Sequence, residues 1–131
     1  MVDRPSVDET PEQAIRSYYR ALRNGDALAP YFSDAETTVK FGISETLEGG
    51  EAVADGLREQ TATTTEWTVD SHDLVVDQRE TVAWFADEVG LAWTDTEQQT
   101  RHEFDTRWSG TLERTDRWRF VGMHVSTARE I

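Results

Sequence analysis

Adjacent carboxylates at Asp87 and Glu88, in the run Ala83-Trp84-Phe85-Ala86-Asp87-Glu88, are the first residues of this chain with the makings of chemistry. On a strand, successive side chains point to opposite faces, so only one of the two can enter an interior. A carboxylate enclosed by Trp84, Phe85 and Trp108 would lose solvation, and the raised pKa would suit it to proton transfer. The competing reading is a solvent-facing acid at a sheet rim, or an ion pair with Arg107. His124 lies in a mostly apolar run, Trp118-Arg119-Phe120-Val121-Gly122-Met123-His124-Val125-Ser126. It is either a general acid–base group or a core histidine donating to a backbone carbonyl or to Ser126.

Other chemistries find less support. The absence of cysteine excludes disulfides, thiolate metal sites and cysteine nucleophiles. His72, His102 and His124 are scattered, with no His-x-x-x-His pair, so no metal site is expected. Ser109 and Ser126 lack a Gly-x-Ser-x-Gly elbow. Gly49-Gly50 at a helix start could hold an anion, but it has no phosphate-loop lysine to support that reading, and no cofactor is expected. The five tryptophans could stack a flat ligand or simply fill a core.

Twenty-six acids against thirteen bases give a net charge of −13, and Lys40 is the only lysine, the other twelve bases being arginine. Self-repulsion on this scale destabilises a compact fold in dilute buffer, whereas at molar salt the screening length falls to about 3 Å. The expectation is a halophilic, acidic protein whose melting temperature rises between dilute buffer and molar KCl; a flat response would remove it. High-GC coding alone would also favour arginine over lysine. The same field repels nucleic acid and anionic membrane, so neither partner is expected. The longest purely apolar run, Val82 to Ala86, is too short for a membrane span or a signal peptide, which implies a cytoplasmic location.

The elements that must position these residues follow from periodicity. Residues 1–9 have no apolar pattern and are expected to form a flexible arm before one domain over 10–131. Thr10-Pro11-Glu12-Gln13 is a capping box with proline at the first helical position, and Ile15, Tyr18, Tyr19 and Leu22 form one stripe ended by Asn24-Gly25. Thr37, Val39, Phe41 and Ile43 alternate with Thr38, Lys40 and Gly42, predicting a half-buried strand. A second helix runs from Gly49-Gly50 to about Gln60, where the threonine run breaks it.

Four long strands come next. In the first, Trp67 to Gln78, the apolar phase changes between Val69 and Leu74, predicting a β-bulge near Ser71-His72-Asp73. Thr81 to Trp93 and Thr100 to Glu113 follow. The last hairpin, with Arg114-Thr115-Asp116 as its loop, sets Leu112, Trp108 and Phe104 on the face of Trp118, Phe120 and Ser126. His102, Thr106, Gly110 and His124 join that face. Helix, strand, helix and four strands predict an α+β fold: a cone-shaped roll, two main helices packed on a strongly curved, mostly antiparallel sheet, with a cavity at its open end.

Several phrases, in this order, resemble the nuclear transport factor 2-like superfamily in its SnoaL-like branch, which includes ketosteroid-isomerase-like folds. They are Gly25-Asp26, Tyr31-Phe32-Ser33-Asp34-Ala35, Gly49-Gly50-Glu51-Ala52-Val53, Ala83 to Glu88, Arg107-Trp108-Ser109-Gly110-Thr111-Leu112, and Trp118-Arg119-Phe120 with His124-Val125-Ser126. They span roughly residues 10 to 127. The resemblance implies a homodimer packed through the sheet and a small, apolar or carbonyl-containing ligand in the cone. It also implies cofactor-free acid–base chemistry of the isomerase, cyclase or dehydratase kind; the alternative is a non-catalytic ligand-sensing or dimerisation module.

For an enzyme, Asp87 or Glu88 would be the base and His124 the acid or orienting group. Tyr18 or Tyr19 would donate to a developing oxyanion, and Arg107 would hold an acidic substituent. Trp84, His102 and Trp108 would complete the ligand wall.

Overall fold

A computed structural model describes residues 9–128; apart from Glu9, the arm expected over residues 1–9 lies outside the described residues. Helix α1 (Pro11–Asn24) starts as its sequence dictates. Thr10 Oγ1 accepts from the Gln13 N–H at 3.1 Å, and Gln13 Oε1 accepts from the Thr10 N–H at 2.9 Å. Gly25 closes the helix at φ 72°, a left-handed conformation that a β-carbon disfavours. The buried stripe carries Ile15, Tyr18, Tyr19 and Leu22, the four residues spaced for it.

A short 3-10 turn (Ala29–Tyr31) leads to a small hairpin of β1 (Val39–Phe41) and β2 (Thr46–Glu48). Helix α2 (Gly50–Thr63) runs past the expected break at the threonines. There the Thr61 and Thr63 hydroxyls donate to the Leu57 and Glu59 carbonyls one turn back, a helical position that threonine can take up. The chain then passes directly into β3 (Thr64–Ser71), β4 (Val75–Arg79), β5 (Val82–Asp95), β6 (Thr100–Arg114) and β7 (Trp118–Thr127).

The strands form one curved, open sheet in the order β2-β1-β7-β6-β5-β3, with β4 also on β5. Only β1 and β7 run parallel; every other pair is antiparallel. Both helices cover one face, giving the α+β cone. Along β5 the odd positions Ala83, Phe85, Asp87, Val89 and Leu91 are buried beneath α1, and Trp84, Ala86 and Glu88 are exposed on the outer face.

The phase change read between Val69 and Leu74 falls where β3 ends and β4 begins. There residues 72–74 stand opposite only Asp87 and Glu88, and the His72 N–H donates to the Glu88 carbonyl at 2.8 Å. A further register shift lies between Thr65 and Thr68.

The single strand expected over Trp67 to Gln78 is thus two strands, β3 and β4, and two further expectations are corrected. The final hairpin loop is Thr115–Arg117, one residue later than expected, so Leu112 pairs with Phe120 where the expected loop would set it opposite Trp118, and the three still share a face. Thr111, however, faces Gly122, so Val121 is an extra residue that reverses the phase of β7. Trp118, Phe120, Met123 and Val125 are buried inside, while His124 is exposed on the outer face. His124 therefore does not share a face with His102, Thr106 or Trp118. Gly110 makes room for the bulge: a β-carbon there would lie 2.4 Å from the Gly122 carbonyl oxygen.

The second correction concerns β1, which is inverted. Thr38 and Lys40 are buried, whereas Phe41 is 39% exposed. Parallel pairing sets Lys40 beside Met123 of the inner face and Phe41 beside His124 of the outer one.

Candidate functional site

Beneath α1, where the sheet curls away from the helix, a cavity of about 160 Å³ opens. Helix α1 contributes Tyr18 and Leu22, β5 contributes Leu91 and Trp93, β6 Trp108, and β7 Val125. The β1–β2 hairpin closes one side with Lys40, Ile43 and Glu45, and Gln60, Thr64 and Trp67 close the other. The Trp67 and Trp93 rings stack with centroids 4.8 Å apart, and Trp67 Nε1 donates to Thr64 Oγ1 at 2.8 Å. Trp108 presents its indole to the cavity and is pinned from behind, Nε1 donating to Thr106 Oγ1 at 2.9 Å. Aromatic planes fixed in this way form stiff walls that cannot collapse into the space they enclose.

The charged groups of the cavity come from the hairpin, and Gln60 and Thr64 add neutral polar groups on the other side. Lys40, 5% exposed, is ion-paired with Glu45. The Glu45 side chain folds back across the turn, where a β-carbon at Gly42 would approach it to 2.7 Å. Tyr18 is 1% exposed; burial first, then the charge of Glu45, raises its phenol well above the ordinary tyrosine range, so the hydroxyl remains a donor. Tyr18, Lys40 and Glu45 thus meet on a chamber whose remaining wall is mainly Leu, Ile, Val and Trp, with Ser44, Gln60 and Thr64 as its other polar members.

Asp87 is the inward member of its pair, yet it does not line this chamber. Its Oδ2 accepts from the Tyr19 hydroxyl at 2.9 Å and the Ser71 hydroxyl at 2.6 Å, and its Oδ1 from the Asp73 N–H at 3.0 Å. Burial, then the adjacent Asp87 charge, holds the Tyr19 phenol far above its ordinary value. The pair fastens α1 to the break between β3 and β4, with Tyr19 packed edge-on against Trp108 at 5.3 Å.

Glu88, Arg107 and His124 gather, with Ser109 and Ser126, around a separate open cleft that Asp73, Asp87 and Trp108 also border, so the three candidate catalytic residues meet there and not at the cavity. Arg107 stands between Glu88 and Ser126 in the pairing register. Trp84 is on the outer face, 42% exposed, with the Arg79 guanidinium 6.0 Å from its ring centre. His102 is half-buried on the inner face toward the open end, stacked on Phe104 and 5.3 Å from Trp93. Of the nine residues singled out from the sequence, Tyr18 and Trp108 border the cavity, and none of Asp87, Glu88 and His124 does.

Lys40 and Glu45 escaped the sequence reading, although a lone lysine in an arginine-rich chain was the available signal. Among the described residues, no group of three or more His, Asp or Glu side chains converges as a metal shell requires. None of the helices described is long and apolar enough to cross a membrane.

The family model described as SnoaL-like domain matches residues 12–130. Among curated proteins, none matches at a significant level. Solved structures of the same fold include a candidate dehydratase of the nuclear transport factor 2-like family from Streptomyces avermitilis, with a TM-score of 0.78 at 17% identity over 91% of this chain and 94% of that one. A nuclear transport factor 2-like superfamily protein from Salmonella enterica serovar Typhimurium has a TM-score of 0.78 at 14% identity, over 90% of this chain and 88% of that one. A ketosteroid isomerase-like protein from Erwinia carotovora atroseptica has a TM-score of 0.73 at 14% identity, over 91% and 94% respectively. At these identities the likeness concerns the fold. With nearly its whole length matched, the chain belongs to the SnoaL-like domain family, built on the nuclear transport factor 2-like fold.

Proposed function

We propose that this chain binds a small, largely apolar molecule bearing an oxygen acceptor in the cavity beneath α1, and that it carries out cofactor-free acid–base chemistry there. The observation that supports this most is the convergence of Tyr18, Lys40 and Glu45 on a largely apolar chamber of about 160 Å³. An apolar cavity of about 150 Å³ holds benzene, so the ligand body is of the order of one ring. Its oxygen would take hydrogen bonds from Tyr18 and Lys40, with Glu45 as the proton-accepting group. Isomerase- and dehydratase-type reactions, the classes named for two structural relatives, fall within this chemistry. Asp87, Glu88 and His124 are left out of the catalytic set, because another donor network or the outer face holds them.

A thermal-shift series in molar KCl with ring-sized ketones and aldehydes tests the reading. Wild type should gain melting temperature, Leu91→Phe should lose the gain by filling the chamber, and Tyr18→Phe should weaken it. Equal gains in all three proteins would mean that ligands bind elsewhere.

The outer face favours a second, compatible reading, that of self-association. Phe41, Val75, Val82 and Trp84 all lie on it and are 39%, 59%, 39% and 42% exposed. We propose a homodimer packed through this face, with apolar surface meeting its own copy. Sedimentation in high salt should give twice the chain mass for wild type and the single mass for Trp84→Asp. A wild-type monomer at high micromolar concentration would end this reading.

A further inference from the structure

Every basic residue but one is arginine, and the exception, Lys40, is the one whose side chain is buried in the cavity wall. For a purely structural ion pair the guanidinium is the better partner, since its planar fork matches a carboxylate and it is more weakly hydrated. Lysine alone can release its proton and become a nucleophile, which arginine cannot do in a protein. Glu45 is the only hydrogen-bond partner of Nζ among the described residues, so the ammonium of this cavity-lining residue keeps donors without a protein partner there.

The turn that carries Glu45 is shaped for this contact. The Gly42 N–H donates to the Glu45 carbonyl at 3.0 Å, and the bare α-carbon of Gly42 gives the Glu45 side chain its path. Tyr18 adds a protonated hydroxyl to the same chamber.

We propose that Lys40 condenses with small aldehydes or ketones to form a protonated imine, with Glu45 as its proton shuttle. This rests on the cavity reading above and names the substrate class of that site. When a ligand expels water, the ion pair loses solvation, and a proton passes from Nζ to the Glu45 carboxylate to leave a neutral amine beside a carboxylic acid. The amine lone pair attacks the carbonyl carbon while Tyr18 donates to the carbonyl oxygen. A C–N bond forms, the π electrons go to oxygen, and a proton moves from nitrogen to that oxygen to give the carbinolamine. Glu45 then protonates the hydroxyl, the C–O bond breaks, and water leaves. The product is a protonated imine paired with the Glu45 carboxylate. Ammonium plus carbonyl has become iminium plus water, with no redox partner required. The iminium acidifies the neighbouring C–H, and Glu45 is positioned to remove that proton.

The test uses the full chain with phenylacetaldehyde or cyclohexanone and sodium cyanoborohydride in molar KCl, followed by intact mass and peptide mapping. The expected result is a single reduced adduct on the peptide containing Lys40, abolished in Lys40→Arg and suppressed by saturating benzene. Because Lys40 is the only lysine, the chain's α-amine is the only competing primary amine, and mapping of wild type decides even if the variant fails to fold. An adduct confined to the α-amine, or none, overturns the proposal. If thermal shifts persist without an adduct, the imine is wrong and the cavity reading stands; if both are absent, both fall.

Discussion

Asp87 and Lys40 are both buried charges on the inner face of the sheet, 4% and 5% exposed, and they are held in opposite ways. Around Asp87 the protein supplies three donors to two oxygens, from α1, from the end of β3 and from the backbone beyond it. Around Lys40 it supplies one carboxylate and leaves the rest of the ammonium beside a chamber. The first arrangement is saturated and serves cohesion. The second is under-coordinated, so an incoming oxygen has something to gain by binding. Burial alone does not separate a structural charge from a working one; the count of unused hydrogen-bond positions does.

The largest test of this contrast is Asp87→Ala. It strands two hydroxyls and a backbone N–H at the junction of α1 and the sheet, so denaturant unfolding in high salt should lose about 3 kcal/mol or more. Lys40→Met should behave differently. Glu45, whose side chain is 35% exposed, can return to water, so stability should change by less than about 1 kcal/mol while carbonyl trapping disappears. A Lys40→Met variant as unstable as Asp87→Ala would erase the distinction. Gly42→Ala is the finest probe. Its β-carbon would displace the flexible Glu45 side chain, leaving unfolding within about 0.5 kcal/mol of wild type and slowing adduct formation. Unchanged trapping kinetics would remove Glu45 from the chemistry.

Much of the scaffold was legible in the chain. Thr10 to Gly25 announces a helix through its caps, and the alternation of Ala83, Phe85, Val89 and Leu91 announces a strand. The change of phase between Val69 and Leu74, read as a bulge within one strand, marks the place where two strands, β3 and β4, part. The same signature exists in β7, where Trp118 and Phe120 are even-numbered and Met123 and Val125 odd, but a glycine and a valine between them blur it. That one inserted residue decides which wall His124 belongs to.

β1 was inverted because Val39 and Phe41 look like a core face. A sheet with apolar groups on both sides and an amine turned inward defeats the rule that apolar residues point in. The site was less legible than the fold for the same reason. Its members come from a turn, two helices and several strands, and what joins Tyr18, Lys40 and Glu45 is curvature, which has no period in the sequence.

The hairpin bearing Lys40 and Glu45 hangs on the rest of the sheet through only three parallel residue pairs, while β5 and β6 are zipped along their full length. So light a hinge should breathe far more often than the seam behind it, and amide exchange across residues 39–48 should outpace that of β5 and β6. The flap that bears the reactive amine is then also the doorway, and each opening that admits a guest briefly separates the amine from the chamber until the guest is enclosed.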